Sequence, residues 1–154
     1  MLSFREPRDK YAPCPVPAAP VPPEVEEFLR QPSPAVVATL REDGSPHTAA
    51  TWYDWEDGRI LMNVESTRLR LANMRRDPRV TLTVLGDESW YRQVTLLGRI
   101  VSIEDDPELE DIDRLARRYT GQPFRSRGQH RVSVWMEVDR WYGWDGGRPW
   151  PPKT

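Results

Sequence analysis

The sequence predicts a mainly β protein, an antiparallel β-barrel with a few short covering helices. Six segments have strand-like residue patterns, and helical segments interrupt them without alternating regularly with them. Because regular strand–helix alternation is typical of parallel α/β sheets, this order favours an antiparallel barrel. The 154 residues are long enough for one domain with a real core and too short for two ordinary ones.

The chain is expected to divide into an arm, a domain and a tail. Residues 1–23 are rich in proline, which favours extended polyproline II and prevents a regular helix or strand ladder. A barrel domain is expected over residues 24–144, and residues 145–154 form a tail rich in Trp, Gly and Pro. The domain opens with a short predicted helix, where Val25, Phe28 and Leu29 have helical spacing just after two prolines.

The six predicted strands are separated by turn residues or by helices. They cover residues 35–40, 46–55, 59–64, 79–85, 90–104 and 130–138. Residues 41–44 and 56–58 supply hairpin turns, and Gly98 predicts a bend or bulge in the longest strand. Two more helices are predicted, one over about residues 67–76 and one from Asp106 to about Tyr119.

Composition argues against several classes of function. The net charge of −2 gives no general attraction to nucleic acid or membrane surfaces, and the chain has no apolar stretch of membrane-spanning length. A cytoplasmic protein is therefore expected. Cys14 is the only cysteine, and His47 and His130 are the only histidines, so no zinc site is expected. Walker A, dinucleotide-binding and nucleophile-elbow motifs do not occur.

The start of the second predicted helix is a candidate anion site. Ser66 and Thr67 are residue types that cap helices, and their hydroxyls are equally suited to binding a phosphate. Arg68 follows them directly. A cation is unfavourable at a helix N-terminus unless an anion is also present. Among the seven tryptophans, Trp52 and Trp90 lie near the ends of strands that border this site and offer flat faces for an aromatic ligand.

Four motifs, in order, resemble the pyridoxamine 5′-phosphate oxidase-like split barrels, whose type member binds FMN. They are GSPHTAATWYDWEDGRI, NVESTRLRLANMRRDPRVTLTVL, WYRQVTLLGRIVSIEDDPE and DIDRLARRYTGQPF. They are most similar to the branch that uses the deazaflavin coenzyme F-420, and the resemblance covers about residues 24–144. It implies a six-stranded split barrel and a homodimer with cofactor sites at the subunit interface.

The resemblance also implies where the cofactor binds. Ser66, Thr67 and Arg68 match the family's phosphate-binding step. Other matching positions border the ring or approach it, some of them from the second subunit: Ala49, Ala50, Thr51, Trp52, Leu61, Met62, Trp90, Tyr91 and Arg92. No metal ligand is implied, and no catalytic residue is identified. Pyridoxamine phosphate oxidases proper carry a basic residue at each of the positions of Ala49 and Asp54, which argues against that activity here.

The resulting hypothesis is an oxidoreductase that transfers a hydride from reduced coenzyme F-420 to a small electron-poor acceptor such as a quinone, enone, nitro compound or tetrapyrrole. Tyr53, Tyr91 and His47 are open alternatives for a proton donor. The arginines that remain candidates for holding the cofactor's polyglutamate tail are Arg70, Arg75, Arg76 and Arg79. Two other functions stay open: an FMN-dependent reductase or oxidase, and a non-enzymatic binder of flavin, deazaflavin or haem. A nucleic-acid partner is not expected, because the overall balance of charge is acidic.

Overall fold

The computed structural model describes residues 16–152, which form one antiparallel sheet and three short helices. The helices are α1 (Pro23–Leu29), α2 (Leu69–Arg76) and α3 (Glu110–Thr120). The strands are β1 (Ala35–Leu40), β2 (Pro46–Thr51), β3 (Asp54–Glu56), β4 (Arg59–Glu65), β5 (Arg79–Leu85), β6 (Gln93–Asp105), β7 (Arg131–Asp145) and β8 (Arg148–Pro149). The prediction of a mainly β antiparallel fold is confirmed. Most of the predicted arm lies outside the described residues.

The sheet is built around its two longest strands. Strand order is β2-β1-β5-β6-β7-β4-β3, with β8 added to β7. The β6–β7 register shifts between Leu97 and Gly98, which confirms the bulge predicted at Gly98. A Cβ at Gly98 would overlap the backbone carbonyl of Glu137, so only glycine permits this close approach of the two strands.

Alternating strands supply a single core. In β5, Val80, Leu82 and Val84 are buried while Thr81 and Thr83 are half-buried, as the sequence pattern predicts. Val37 of β1, Leu96 of β6 and Met136 of β7 are fully buried in the same cluster. Burial of this apolar surface is the main stabilising contribution to the fold.

The structure has eight strands in its described part, whereas the sequence predicted six. The segment predicted as one strand over residues 46–55 breaks at Trp52 and Tyr53 into β2 and β3. Tyr53 is the physical reason, because its ring is fully buried and its hydroxyl donates to the carbonyls of Leu29 and Gln31, at 2.9 and 3.0 Å. Because of these tertiary hydrogen bonds, the backbone at Tyr53 leaves the strand-pairing pattern.

Other boundaries also differ from the predictions. The last strand continues past residue 138 to Asp145 and pairs with β8, so part of the predicted tail extends the sheet. The long strand begins at Gln93, which leaves Trp90 and Tyr91 in the preceding turn. Helix α3 begins at Glu110, because the Asp106 carboxylate accepts hydrogen bonds from the backbone N–H groups of Asp111 and Ile112, at 3.3 and 3.0 Å.

Residues 16–22 of the proline-rich arm lie along the outer part of β7. Ala18 forms a single bridge with Arg140, and the Trp141 N–H donates to the Pro17 carbonyl at 3.0 Å. Prolines on both sides of Ala18 prevent the bridge from becoming a ladder. Among residues 16–152, none of the helices is long and apolar enough to cross a membrane.

Helix α3 is attached to the sheet by arginines, and this attachment positions one wall of the candidate site. The Arg118 guanidinium donates to the carbonyls of Tyr53 and Gln31, at 3.0 and 2.7 Å. Arg114 and Arg118 both pair with Asp54, at 2.7 and 3.3 Å. The helix is therefore held over the break between β2 and β3.

Candidate functional site

Two adjoining pockets lie between β2, β4, α2 and α3. The first, here called the aromatic pocket, has a volume of about 540 Å³ and is walled in part by Trp52, Ile112, Tyr119 and Phe124. The second, the arginine pocket, has a volume of about 470 Å³. The residues that line only the arginine pocket are His47, Ala49, Glu65, Arg68 and Leu69. Ala50, Arg70 and Arg131 line both pockets, so the two adjoin, and together they are here called the groove.

Two partly buried arginines stand at the junction of the pockets. The Nη1 atom of Arg70 donates to the Ala50 carbonyl at 3.0 Å. Its Nε is buried and has no hydrogen-bond partner among residues 16–152. The Nε of Arg131 donates to the side-chain oxygen of Asn63 at 2.9 Å. An orphaned buried donor is costly, and an oxygen ligand in the groove would relieve that cost.

The positive charges of Arg68, Arg70 and Arg131 repel one another. Burial lowers the pKa of Arg70, and the charge of Arg68 lowers it further. Burial likewise lowers the pKa of Arg131, with the charge of Arg70 as the next cause. Because arginine stays protonated in proteins, three neighbouring guanidinium groups create a site that favours an anion with several oxygen acceptors.

A carboxylate of the protein already engages part of this site. The hydroxyl of Thr67 donates to Glu65 Oε2 at 2.5 Å, and the Thr67 N–H donates to Oε1 at 3.2 Å. The Nε of Arg68 lies 3.7 Å from the same carboxylate. The hydrogen bond from Thr67 is the main reason that the pKa of Glu65 is lowered.

Of the two alternatives for Ser66 and Thr67, the structure does not support the helix cap. The N-cap residue is Arg68, and no side chain caps the helix. Thr67 is held by Glu65 instead, and the backbone N–H of Ser66 donates to the His130 carbonyl at 2.9 Å. The N–H groups of the first turn of α2 are therefore not taken up by a side-chain cap.

The aromatic pocket presents a flat wall. The rings of Trp52 and Tyr119 are stacked, with centroids 5.5 Å apart and planes at 12°, and Phe124 meets Trp52 edge-on at 6.3 Å. The guanidinium carbon of Arg131 lies 4.9 Å from the centre of the Phe124 ring. Such a wall suits the face of a planar aromatic ligand.

Residues 21–145 match a protein-family model described as pyridoxamine 5′-phosphate oxidase. The chain belongs to this family. Members bind FMN or coenzyme F-420, and most are oxidoreductases that use one of these cofactors. The matched span includes both pockets.

Solved structures of similar proteins have the same fold. An F-420 reductase is 25% identical, with a TM-score of 0.73 over 79% of this chain and 98% of that chain. A conserved hypothetical protein from Mycobacterium tuberculosis is 27% identical, with a TM-score of 0.66 over 83% of this chain and 86% of that one. The HupZ protein of Group A Streptococcus is 16% identical, with a TM-score of 0.61 over 84% and 98%. The split-barrel fold predicted from the sequence is therefore confirmed.

Part of the predicted cofactor-binding set meets in the groove of this family member. Ala50, Thr51 and Trp52 line the aromatic pocket, while Ala49 and Arg68 line the arginine pocket. Leu61 and Met62 are fully buried in β4, next to Asn63, which does line the aromatic pocket. Trp90 and Tyr91 are exposed and stack on each other at 5.0 Å. Arg92 pairs with Asp145 at 2.7 Å and lines a third pocket, which shares Pro32 and Asp87 with the aromatic pocket.

The structure also distinguishes among the candidates for the proton donor, and among the arginines considered for binding the polyglutamate tail of the cofactor. His47 lines the arginine pocket, whereas the Tyr53 hydroxyl is held by carbonyls inside the core, where burial raises its pKa. Of the four tail candidates, Arg70 faces the groove. Arg76 donates to the Leu40 carbonyl at 2.7 Å, and Arg79 pairs with Asp77 at 2.7 Å.

Sequence reasoning missed several residues of the groove, among them Asn63, Tyr119, Phe124 and Arg131. Arg131 is an arginine at the start of a strand and is 8% exposed. A charged residue in an otherwise apolar strand is a weak signal for a buried role. Its partner is fixed only by pairing between β4 and β7, where Asn63 lies opposite Ser133, two residues beyond Arg131.

Proposed function

We propose that this protein is a coenzyme F-420-dependent oxidoreductase that reduces a small electron-poor acceptor. The observation that carries the proposal is the pair of adjoining pockets in which Arg70, whose buried Nε has no hydrogen-bond partner among residues 16–152, stands between an aromatic wall and two further arginines. The likeness to an F-420 reductase at 25% identity supports the choice of the deazaflavin branch.

The donor set fits a phosphate group. Arg68, Arg70 and Arg131 offer guanidinium N–H groups that bind phosphate oxygens by charge-assisted hydrogen bonds. Thr67 adds a hydroxyl and a backbone N–H when its bonds to Glu65 are exchanged for bonds to the ligand. These residues would hold the phosphate of the cofactor, and Arg70 would gain a partner for its buried Nε.

The aromatic pocket would orient the ring system. Trp52, Tyr119 and Phe124 provide apolar faces that exclude water from one side of the ring, and Ala50 and Thr51 bring the β2 backbone to its edge. When bound, the reduced cofactor supplies a hydride to the acceptor. The protein contributes orientation and proximity, and His47 is the proton-donor candidate that lies in the groove.

We further propose that the active form is a homodimer. Leu69, Trp90, Tyr91 and Val101 are large apolar residues left exposed on the single chain, between 45% and 67%. Exposed residues of this kind are enriched at subunit interfaces. In the dimer we expect Trp90, Tyr91 and Arg92 to border the cofactor of the second subunit.

FMN is the second candidate, because a phosphate site beside an aromatic wall suits it as well. The deciding experiment is a titration of the full-length protein with coenzyme F-420 and with FMN, followed by tryptophan quenching, for which Trp52 is a probe in the groove. Selective binding of F-420, followed by oxidation of the reduced coenzyme by a quinone, enone or nitro acceptor, is the expected result. A preference for FMN would overturn the cofactor assignment, and binding without turnover on any acceptor would indicate a carrier protein.

A further inference from the structure

Asn63 is a buried polar residue, 4% exposed, whose side chain is fully engaged. Its amide nitrogen donates to Asp106 Oδ2 at 3.0 Å and to the Ser133 hydroxyl at 3.2 Å. Its side-chain oxygen accepts from Arg131 Nε at 2.9 Å, and its backbone carbonyl accepts from Arg131 Nη2 at 3.2 Å. One residue therefore fixes two of the guanidinium nitrogens of Arg131.

The network continues into the elements that carry the aromatic wall. Asp106, which accepts from Asn63, also caps the first turn of α3 through the N–H groups of Asp111 and Ile112. The Ser133 hydroxyl donates to Asp111 Oδ2 at 2.6 Å. Because α3 carries Tyr119, this network joins β4, β7 and α3 behind the groove.

The groups that accept hydrogen bonds from Arg131 differ in charge from those that hold other arginines of the protein. The hydrogen-bond acceptors of Arg131 are neutral, from Asn63 and Gln129. Within residues 16–152, Arg131 forms no ion pair with a carboxylate, whereas Arg114 and Arg127 each do, at 2.7 and 2.6 Å. A carboxylate would hold the guanidinium and also neutralise it. An amide holds the guanidinium and leaves its charge available to a ligand.

We propose that Asn63 is a positioning residue that orients Arg131 toward the anion of the bound cofactor and holds it through neutral groups, without an ion pair to a carboxylate. The inference rests on the proposed use of the arginine pocket for a phosphate group. This role differs from a purely structural one, in which Asn63 would only supply hydrogen-bond partners to buried polar groups of β4, β7 and α3.

A double-mutant cycle on the full-length protein tests the proposal. The variants are Asn63→Ala, Arg131→Met and the double variant, and the ligands are coenzyme F-420, FMN and inorganic phosphate. Removing Asn63 is expected to weaken binding by about tenfold, a typical effect of one charged hydrogen bond. In the Arg131→Met background the same change is expected to alter affinity less than about twofold, because the arginine that Asn63 positions is gone.

Ser133→Ala is the matched control, because it removes another partner of the Asn63 amide without touching Arg131. It is expected to lower thermal stability and to leave ligand affinity within about twofold. If Asn63→Ala does not fold, Asn63→Gln keeps the amide, displaces its oxygen by one methylene and is expected to weaken binding in the same direction.

The outcomes separate this inference from the proposed function. Equal losses from Asn63→Ala in both backgrounds, or an equal loss in Ser133→Ala, would overturn the positioning role even if F-420 binds tightly. Binding of phosphate that depends on Asn63 and Arg131, without binding of F-420 or FMN, would support the positioning role and reject the proposed function. A wild-type protein that binds none of these ligands would overturn both.

Discussion

Arg70 and Arg131 both lie at the junction of the two pockets, although one belongs to α2 and the other begins β7. Each is partly buried, and the charge of Arg70 contributes to the lowered pKa of Arg131. The fold therefore brings like charges together at a site that is lined with two carboxylates, Glu65 in the arginine pocket and Asp87 in the aromatic pocket. Such repulsion is relieved when an anion binds between the two groups.

Replacement of Arg70 by Met should weaken binding of the phosphorylated cofactor. The change removes a charge-assisted donor and is expected to cost about 1.5–3 kcal/mol, or roughly 10- to 150-fold in Kd. Fluorescence titration of the folded variant measures the effect. Arg148→Met is the control, because Arg148 is an exposed arginine that lines neither pocket. An unchanged Kd for Arg70→Met would contradict the assignment of the arginine pocket.

Replacement of Trp52 by Leu should weaken binding of the ring portion of the ligand. It removes the face that stacks on Tyr119 at 5.5 Å, and aromatic stacking contributes about 0.5–1.5 kcal/mol beyond the area that it buries. We expect the affinity for F-420 or FMN to fall several-fold and the affinity for inorganic phosphate to stay unchanged. Trp135→Leu, which alters a tryptophan that stacks with Arg59 outside the groove, should spare both affinities.

Replacement of Glu65 by Gln should tighten phosphate binding. The carboxylate now competes for Thr67 and Arg68, and its charge repels an incoming anion. We expect a lower Kd for phosphate and for the cofactor by calorimetry at neutral pH. A weaker affinity would show that Glu65 organises the site for its ligand and does not compete with it.

The pH dependence of Glu65 has a definite sign. Because the hydrogen bond from Thr67 lowers its pKa in the folded protein, its contribution to folding is present at neutral pH and is lost as pH falls through the lowered pKa. Thr67→Val should move the Glu65 titration upward, which an NMR titration of the carboxyl carbon measures.

Replacement of Gly98 by Ala should destabilise the protein severely. The added Cβ would overlap the Glu137 carbonyl across the β6–β7 bulge, so the two longest strands would have to separate. We expect a loss of several kcal/mol in the free energy of unfolding. Gly128→Ala is the control, since a Cβ there meets open space. Similar denaturation midpoints for the two variants would show that the bulge is not tightly constrained.

Local patterns predicted the elements well where a residue's role depends on its neighbours in the chain. The alternation of Val80, Leu82 and Val84 identified β5, and Gly98 identified a bulge, because both signals come from period and backbone freedom. The break at Tyr53 was not predictable in this way. It depends on hydroxyl bonds to the carbonyls of Leu29 and Gln31, which only the packing of α1 against β3 brings within reach.

The same distinction applies to the candidate site. The sequence by itself determined a mainly β chain, a family resemblance, and a candidate anion-binding segment at Ser66, Thr67 and Arg68. Only the tertiary structure decided that Arg70 and Arg131 share one groove and that Asn63 holds Arg131. The physical reason is that strand register and helix docking bring distant residues together, and the guanidinium of Arg131 finds its main partner, Asn63, 68 residues away in the sequence.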